Sequence, residues 1–400
     1  MHSTRELSVA YVLESISPGW LTYEIDALMD AGCRIEIYPT NPRRYPRFRE
    51  LGFPDHASFP QDVTSLVRFF IRGPAVTARR LTSLRRRVGW LIACSTLSLA
   101  RRIERTDGAR PSLIHSHFAA GPALSAMIAS GDSSLPFGFT AHAYDIFSEP
   151  IDWDLMREKC RRASFVRCIS RFNRDHLVRK TGVEEEKFVV IPCGVDTHRF
   201  RPDEETRAKP AGVKTILTAG GLVPPKGIPR LLEAMRDPRL KQLGCRLVIA
   251  GDGPVKGVLE RQAAALGVNA AFLGGVSNEV MPRLYREADV FVIPCVTAPD
   301  GHHDGIPVAL MEAMASGIPV ISSNISGIPE LIEHEKSGLL TPEDSTEPLI
   351  AAILRVLTDD DLSRRFARAG RERVLEGFDI RDVARRLMEL FVHHARGDDR

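Results

Sequence analysis

The sequence contains no apolar run long enough to cross a bilayer. Its longest, Val88 to Ala100, is about 13 residues where ~20 are needed. The opening residues, Met1 to Glu6, are polar and show no secretory pattern. A cytoplasmic protein is expected, soluble or peripheral on the inner face of the membrane. There is no Cys-x-x-Cys pair and no zinc spacing among the seven cysteines. Scattered and odd in number, they read as buried thiols in a reducing compartment. No repeat with a period of ~20–50 residues is visible, which excludes solenoids and propellers. A net charge of +3 does not point to nucleic acid, and none is expected as a partner.

What is present is an ordinary globular composition, 44% apolar and 26% charged, over 400 residues. That length suits two domains better than one. Short apolar runs alternate with helical patterns from end to end. Leu7–Leu13, Arg34–Tyr38, Leu113–Ser116, Phe137–Thr140, Phe165–Ile169 and Phe188–Ile191 read as strands of a first half. Thr215–Ala219, Arg246–Ala250, Ala271–Leu273, Val290–Ile293, Pro319–Ser322 and Gly338–Leu340 read as strands of a second. Such alternation predicts an α/β fold with parallel sheets covered on both faces. Asp196 to Val213 has linker composition, so the boundary is placed near residue 205. The organisation expected is a domain over 1–205, a second over 206–378 and a terminal helix over 379–400 that can pack back on the first.

Charge is uneven. Asp62 to Arg105 holds ten Arg, no Lys and two acids, a balance of +8, which leaves −5 for the remainder of a +3 chain. Arginines interleave there with Phe69, Phe70, Leu84 and Trp90. This pattern fits either a helix lying on anionic membrane or a solvated face over a core.

The sharpest local signal is Asp304-Gly-Ile-Pro-Val-Ala-Leu-Met-Glu312, after a strand and a glycine-bearing loop. Pro307 suits a first helical turn and Gly317 a carboxyl-terminal cap. A helix this apolar is buried, so its one carboxylate, Glu312, needs strong partners. Those can be ligand hydroxyls such as a ribose's, or an internal Arg or backbone amides. The helix follows a strand's carboxyl end, where open α/β sheets bind ligands. Free amides at Gly305, Ile306, Pro307's neighbours and Val308 suit phosphate. Gly220-Gly221-Leu222-Val223-Pro224-Pro225-Lys226 forms a second glycine turn with a phosphate-seeking Lys226. Gly251-Asp252-Gly253 lacks dinucleotide spacing and reads as a turn near a nucleotide base. In the first half, His142 and Asp145 follow one strand and His117 another, at positions that can face a cleft. Asp300, His302, His303 and Asp304 make no metal spacing, so no metal and no other cofactor is expected.

These motifs resemble the retaining glycosyltransferases of GT-B architecture, family 4 type, and among them most the bacterial exopolysaccharide and colanic-acid enzymes. The resemblance covers most of the chain. It is carried by Leu113-Ile-His-Ser-His-Phe118, Phe139-Thr-Ala-His-Ala-Tyr-Asp-Ile-Phe147, Ile191-Pro-Cys-Gly-Val-Asp196, Val248-Ile-Ala-Gly-Asp-Gly-Pro254 and Asp304 to Val320. It implies two facing Rossmann-like domains, a nucleotide-sugar donor (a UDP-sugar favoured) and a saccharide or lipid-linked acceptor. It assigns Asp304 to donor sugar hydroxyls, Glu312 to the ribose, Lys226 to pyrophosphate, His142 to the transferred sugar and Gly19 to the acceptor loop. Three positions depart from the family pattern. Asp304 stands where Glu is usual, Gly221 where an Arg joins the Lys, and Pro18 where the first glycine of a pair lies. The Gly221 departure keeps a catalytically weak or inactive partner subunit open as an alternative. A nucleotide-sugar 2-epimerase has a similar fold and is the other.

If residues 62–105 meet a membrane, the chain should float with anionic vesicles and release as salt rises, since each basic residue near such a surface contributes about 1 kcal/mol within a Debye length. Equal flotation with neutral vesicles, or none with either, would return the segment to an ordinary solvated face.

Overall fold

The computed structural model describes residues 7–14, 19–40, 103, 110–202 and 212–395. The Arg-rich segment 62–105, save Ile103, and the boundary near 205 lie outside the described residues. Two six-stranded, wholly parallel sheets form the fold. The first contains β1 (Ser8–Leu13), β2 (Arg34–Pro39), β3 (Leu113–His117), β4 (Phe137–Ala141), β5 (Phe165–Cys168) and β6 (Phe188–Val190), in the order β2-β1-β3-β4-β5-β6. The second contains β7 (Thr215–Ala219), β8 (Arg246–Ala250), β9 (Ala270–Gly274), β10 (Val290–Ile293), β11 (Val320–Ser323) and β12 (Leu339–Thr341), in the order β12-β11-β10-β7-β8-β9. The strand order reverses beside β1 and β7, which creates a crevice at their carboxyl ends.

All twelve expected strands are present, with ends shifted by a residue or two. Most are buried along their whole length, as strands covered on both faces must be. The terminal helix Ile380–Ala395 crosses back to the first sheet. Its Leu387 and Phe391 join the core of Tyr11, Ile25 and Phe165, and Arg386 donates to the Val190 carbonyl at 2.7 Å. The six described cysteines are all buried. No described helix is long and apolar enough to cross a membrane.

One feature of the first domain runs against its apolar core. Arg167 sits mid-strand in Phe165-Val-Arg-Cys168 and is fully buried. Its guanidinium donates to Glu24 Oε2 at 2.7 Å, to the Ile191 carbonyl at 3.0 Å and to the Pro192 carbonyl at 2.7 Å. Burial opposes ionisation of Glu24, but Arg167 outweighs it and holds the carboxyl well below the usual range. Removing one partner leaves a buried, uncompensated charge, which costs about 3–5 kcal/mol. Glu24→Ala should therefore lower unfolding stability in urea by about that amount. Because the folded carboxyl titrates below the unfolded one, the pair's contribution is whole above the ordinary Glu range. It drains away as pH falls through the folded value. A Glu24→Ala variant as stable as the parent at pH 7, or one with the same loss on acidification, would show that the pair is not a stabilising element.

Candidate functional site in the cleft between the sheets

The residues singled out in the second half converge. Lys226 closes a single 3₁₀ turn, Pro224–Lys226, after β7. Its Nζ lies 2.7 Å from Asp304 Oδ2, on the loop after β10, and both side chains remain partly exposed. Burial alone would lower the Lys226 ammonium, but the Asp304 carboxylate more than compensates and raises it. The stem of Lys226 runs beneath Gly220, where a Cβ would meet Cε at 3.6 Å. Gly220 has φ +129 and needs its freedom; Gly221 has no such φ, is exposed, and faces open space.

Gly251 and Gly253 are fixed by packing between two loops. A Cβ at Gly251 would strike the Gly220 carbonyl at 1.9 Å, and one at Gly253 the Leu222 carbonyl at 2.4 Å. These glycines let two loops pack backbone to backbone, with Leu222 N donating to the Asp252 carbonyl at 2.8 Å. Asp252 itself is exposed and caps Gly253 N at 2.8 Å. The close approach is therefore between loops, and it sets the floor beside Lys226.

The helix after Asp304 spans Val308–Ala315. Pro307 is its amino-terminal cap and not its first residue, with ψ 123. Gly317, at φ +72, follows the Ser316 cap. Glu312 finds neither an Arg nor backbone amides as its bonding partner: its Oε2 accepts from the Tyr285 hydroxyl at 2.8 Å. Burial pushes the Glu312 carboxyl up to about 7. Tyr23, whose hydroxyl accepts from Arg199 at 3.0 Å, lies in the same charge field. Gly305 sits against the other domain, where a Cβ would meet Ile169 Cδ1 at 2.9 Å. Ile306 is in the core between the two halves.

From the first half, Gly19 caps the helix Trp20–Asp30 at φ +126, and its Cβ position lies 4.0 Å from Asn278 Nδ2 of the second domain. His142 caps the short helix Ala143–Phe147 and packs between Trp20 and Phe118, ring centroids 4.8 and 4.6 Å away. Phe118 adopts φ +73, an unusual conformation for a bulky residue and the one that turns its ring onto His142. Two expected site residues do not line the cleft. His117 is wholly buried beneath His142. Asp145 turns inward, accepting from Ala119 N, whose carbonyl takes Lys159 Nζ; burial raises its carboxyl to about 7. A helix only five residues long leaves that carboxylate within reach of the Ala119 amide, and sequence position did not reveal this.

The metal reading of the loop before the helix is not favoured by its geometry. His303 stacks on Phe147 at 4.0 Å with Nδ1 on the Gly301 carbonyl, His302 stands edge-on to Tyr144, and Asp304 is held by Lys226. Among the described residues no cluster of metal-ligating side chains occurs. The ring contacts of His302 and His303 tie the domains together. Glu330 completes the seam, its two oxygens accepting Arg171 N and Phe172 N at 2.9 Å each, on the amino terminus of Arg171–Thr181. The sequence reading missed Glu24, Arg167, Tyr285, Arg199 and Glu330. Only Arg167 carried a signal, as a charge inside an apolar strand.

Comparison with known proteins agrees with this geometry. Residues 21–199 match the family model for Glycosyltransferase Family 4, and residues 200–373 the model for Glycosyl transferases group 1. A GDP-mannose-dependent alpha-(1-6)-phosphatidylinositol monomannoside mannosyltransferase of Mycobacterium tuberculosis is 36% identical over 218 residues, 52% of this chain and 56% of that protein. A putative colanic acid biosynthesis glycosyltransferase, WcaL of Escherichia coli, is 37% identical over 219 residues, 53% of each chain. The chain thus spans about half the length of these curated relatives. The crystal structure of Anabaena Alr3699/HepE in complex with UDP superimposes with a TM-score of 0.74 at 18% identity, covering 97% of this chain and all of that one. With one model on each half, in order, and two facing Rossmann-like domains of GT-B form, the chain belongs to the glycosyltransferases that join a family 4 domain to a group 1 domain.

Proposed function

We propose that the chain transfers a sugar from a nucleoside-diphosphate sugar to a saccharide or lipid-linked acceptor, with retention of configuration, in polysaccharide or glycolipid synthesis. The observation that carries this reading is the Lys226–Asp304 pair at the mouth of the cleft, beside the amino terminus of the Val308–Ala315 helix. A leaving diphosphate develops negative charge, and a positioned ammonium with free helix amides stabilises it without reorganisation. Asp304 holds Lys226 in place and is itself suited to accept sugar hydroxyl protons. Glu312, whose Oε2 accepts from Tyr285, has the acceptor chemistry a ribose hydroxyl needs. The relatives support a nucleotide donor but differ in the base: the mycobacterial one is named for GDP-mannose and the Anabaena structure holds UDP.

Retention requires either a protein carboxylate attacking the sugar's far face or attack from the leaving group's own side. Near His142 the two carboxylates are committed: Glu24 to Arg167, and Asp145 to the Ala119 amide. That favours the front-face route. No step in it calls for a divalent ion.

Lys226→Ala should cut transfer by roughly 10²-fold, the equivalent of about 2–4 kcal/mol of leaving-group stabilisation, with little loss of unfolding stability. The parent should stay active in EDTA. Near-normal turnover by the variant, or metal-dependent activity of the parent, would sink this account of the leaving group.

Gly221 leaves open space where the family pattern has an Arg, and its backbone carries no left-handed strain. Gly221→Arg should tighten UDP or GDP binding by about 1–2 kcal/mol, roughly 5–30-fold, through bidentate phosphate contacts. Calorimetric titration beside Gly221→Ala decides. An Arg variant binding no tighter than Ala would put this loop away from the phosphates.

Glu312 provides a pH signature. Its carboxyl, at about 7 in the free protein, should fall when hydroxyls donate to its ionised form. Nucleotide binding should then release a proton near neutrality and tighten as pH rises from 6 toward 8 on the order of one unit either side of that value. Titration in buffers of different ionisation heat measures the proton. Uptake, or no exchange in the parent with the same result in Glu312→Gln, would remove Glu312 from the nucleotide site.

A further inference from the structure

Beneath His142 lies a chain of buried polar groups that the transfer reading does not use. His142 Nε2 is 3.3 Å from His117 Nδ1, and His117 Nε2 is 3.1 Å from Glu24 Oε1. The second contact is bent away from the N–H direction, so it acts chiefly as the pull of a carboxylate charge on an N–H dipole. Glu24 is held in turn by Arg167 and by the Tyr11 hydroxyl at 3.4 Å. His115 stands beside His117, its Nε2 engaged with Thr140 Oγ1 at 2.9 Å. His117, Glu24 and Arg167 are all sealed from solvent, whereas His142 keeps 7% of its surface open.

Donors and acceptors can be assigned along this chain, because ring protons follow from their partners. Glu24 is ionised, held so by Arg167, and can only accept. The proton of a neutral His117 therefore belongs on Nε2, facing Glu24. Burial keeps His117 and His142 neutral: their ring values are lowered, most strongly at His142, despite the attraction of Glu24. His117 Nδ1 is then a bare lone pair, and His142 must donate to it from Nε2. The remaining nitrogen of His142, Nδ1, has no protein partner among the described residues.

We propose that His117, with Glu24 and Arg167 behind it, is a positioning residue that fixes His142 in the Nε2–H tautomer, so that the cleft meets a bare Nδ1 acceptor. Such an acceptor takes a hydrogen bond from a hydroxyl and repels a carboxylate. The sugar seated over His142 thus presents a hydroxyl there and not an acid group. This consequence rests on the transfer reading; the tautomer does not.

The test is nitrogen-15 spectroscopy of the histidine-labelled full chain between pH 6 and 8, with His142 assigned by the spectrum of His142→Gln. A neutral His142 with its proton on Nε2 is expected throughout. A proton on Nδ1, or an imidazolium near neutrality, would overturn the proposal. His117→Phe keeps the Glu24–Arg167 pair and ring packing but removes the acceptor. It should mix the tautomers of His142 and lower kcat by about tenfold or more at unchanged nucleoside-diphosphate Kd. His117→Gln can offer a carbonyl to His142 and an amide to Glu24, and should restore both. An Nε2–H signal that persists in His117→Phe would also overturn the proposal. If that variant does not fold, the parent spectrum still decides. A nucleoside-diphosphate hexose should move the Nδ1 resonance, and the matching hexuronic acid should not; equal shifts would refute the hydroxyl preference. A chain that shows the Nε2–H signal yet transfers no sugar would defeat the transfer reading and leave the tautomer standing.

Discussion

A wholly parallel sheet sends every strand out at the same edge, and this constraint places each element of the site. Gly19 follows β1, His142 follows β4, Gly220 follows β7, Gly251 follows β8 and Asp304 lies on the loop after β10. The sheets face each other by these edges, so loops far apart in sequence come within contact distance. Apolar packing and a few polar groups hold the seam. Glu330 caps a helix of the opposite domain, and His303 inserts beside Phe147 and Phe172. A carboxylate at a helix amino terminus gains from both amide hydrogen bonds and the helix dipole.

Charge inside the cleft is arranged in two ways. Lys226 and Asp304 are partly exposed and neutralise each other across 2.7 Å. Glu24 and Arg167 are sealed in the core and available to nothing outside. A pair so placed gives little net stability over apolar side chains of the same size. Its presence under His142 is better explained by the direction it imposes on the hydrogen bonds above it. The two histidines share one acceptor-to-donor sense because one end of their chain is a fixed anion.

The glycines separate into two groups on physical grounds. Gly220 needs a positive φ, and Gly227 both a positive φ and the absence of a Cβ that would strike the Pro294 carbonyl at 1.8 Å. Gly251 and Gly253 are required by backbone packing between loops. Gly221 meets neither condition, which makes it the one glycine of the motif free to accept a side chain.

The sequence alone determined the strands, the parallel α/β class, the division into halves and the buried helix after Asp304. Each of these is written in local periodicity: apolar runs of strand length, helical spacing between them, and glycine or proline at the ends. It also singled out Lys226, Asp304 and His142 after strand ends, and Glu312 inside the buried helix. Which of the candidates touch, and which turn inward, was decided only by tertiary structure. His117 and Asp145 occupy the same kind of strand-end position as His142. One found Glu24 from a helix some ninety residues earlier in the chain, and the other found the Ala119 amide. The partner of Glu312 proved to be a tyrosine from a helix after β9, and that of Arg171 a glutamate from the opposite domain. Periodicity records which face of an element is apolar. It does not record which distant polar group meets a buried charge, because that pairing exists only once the sheets have closed around it.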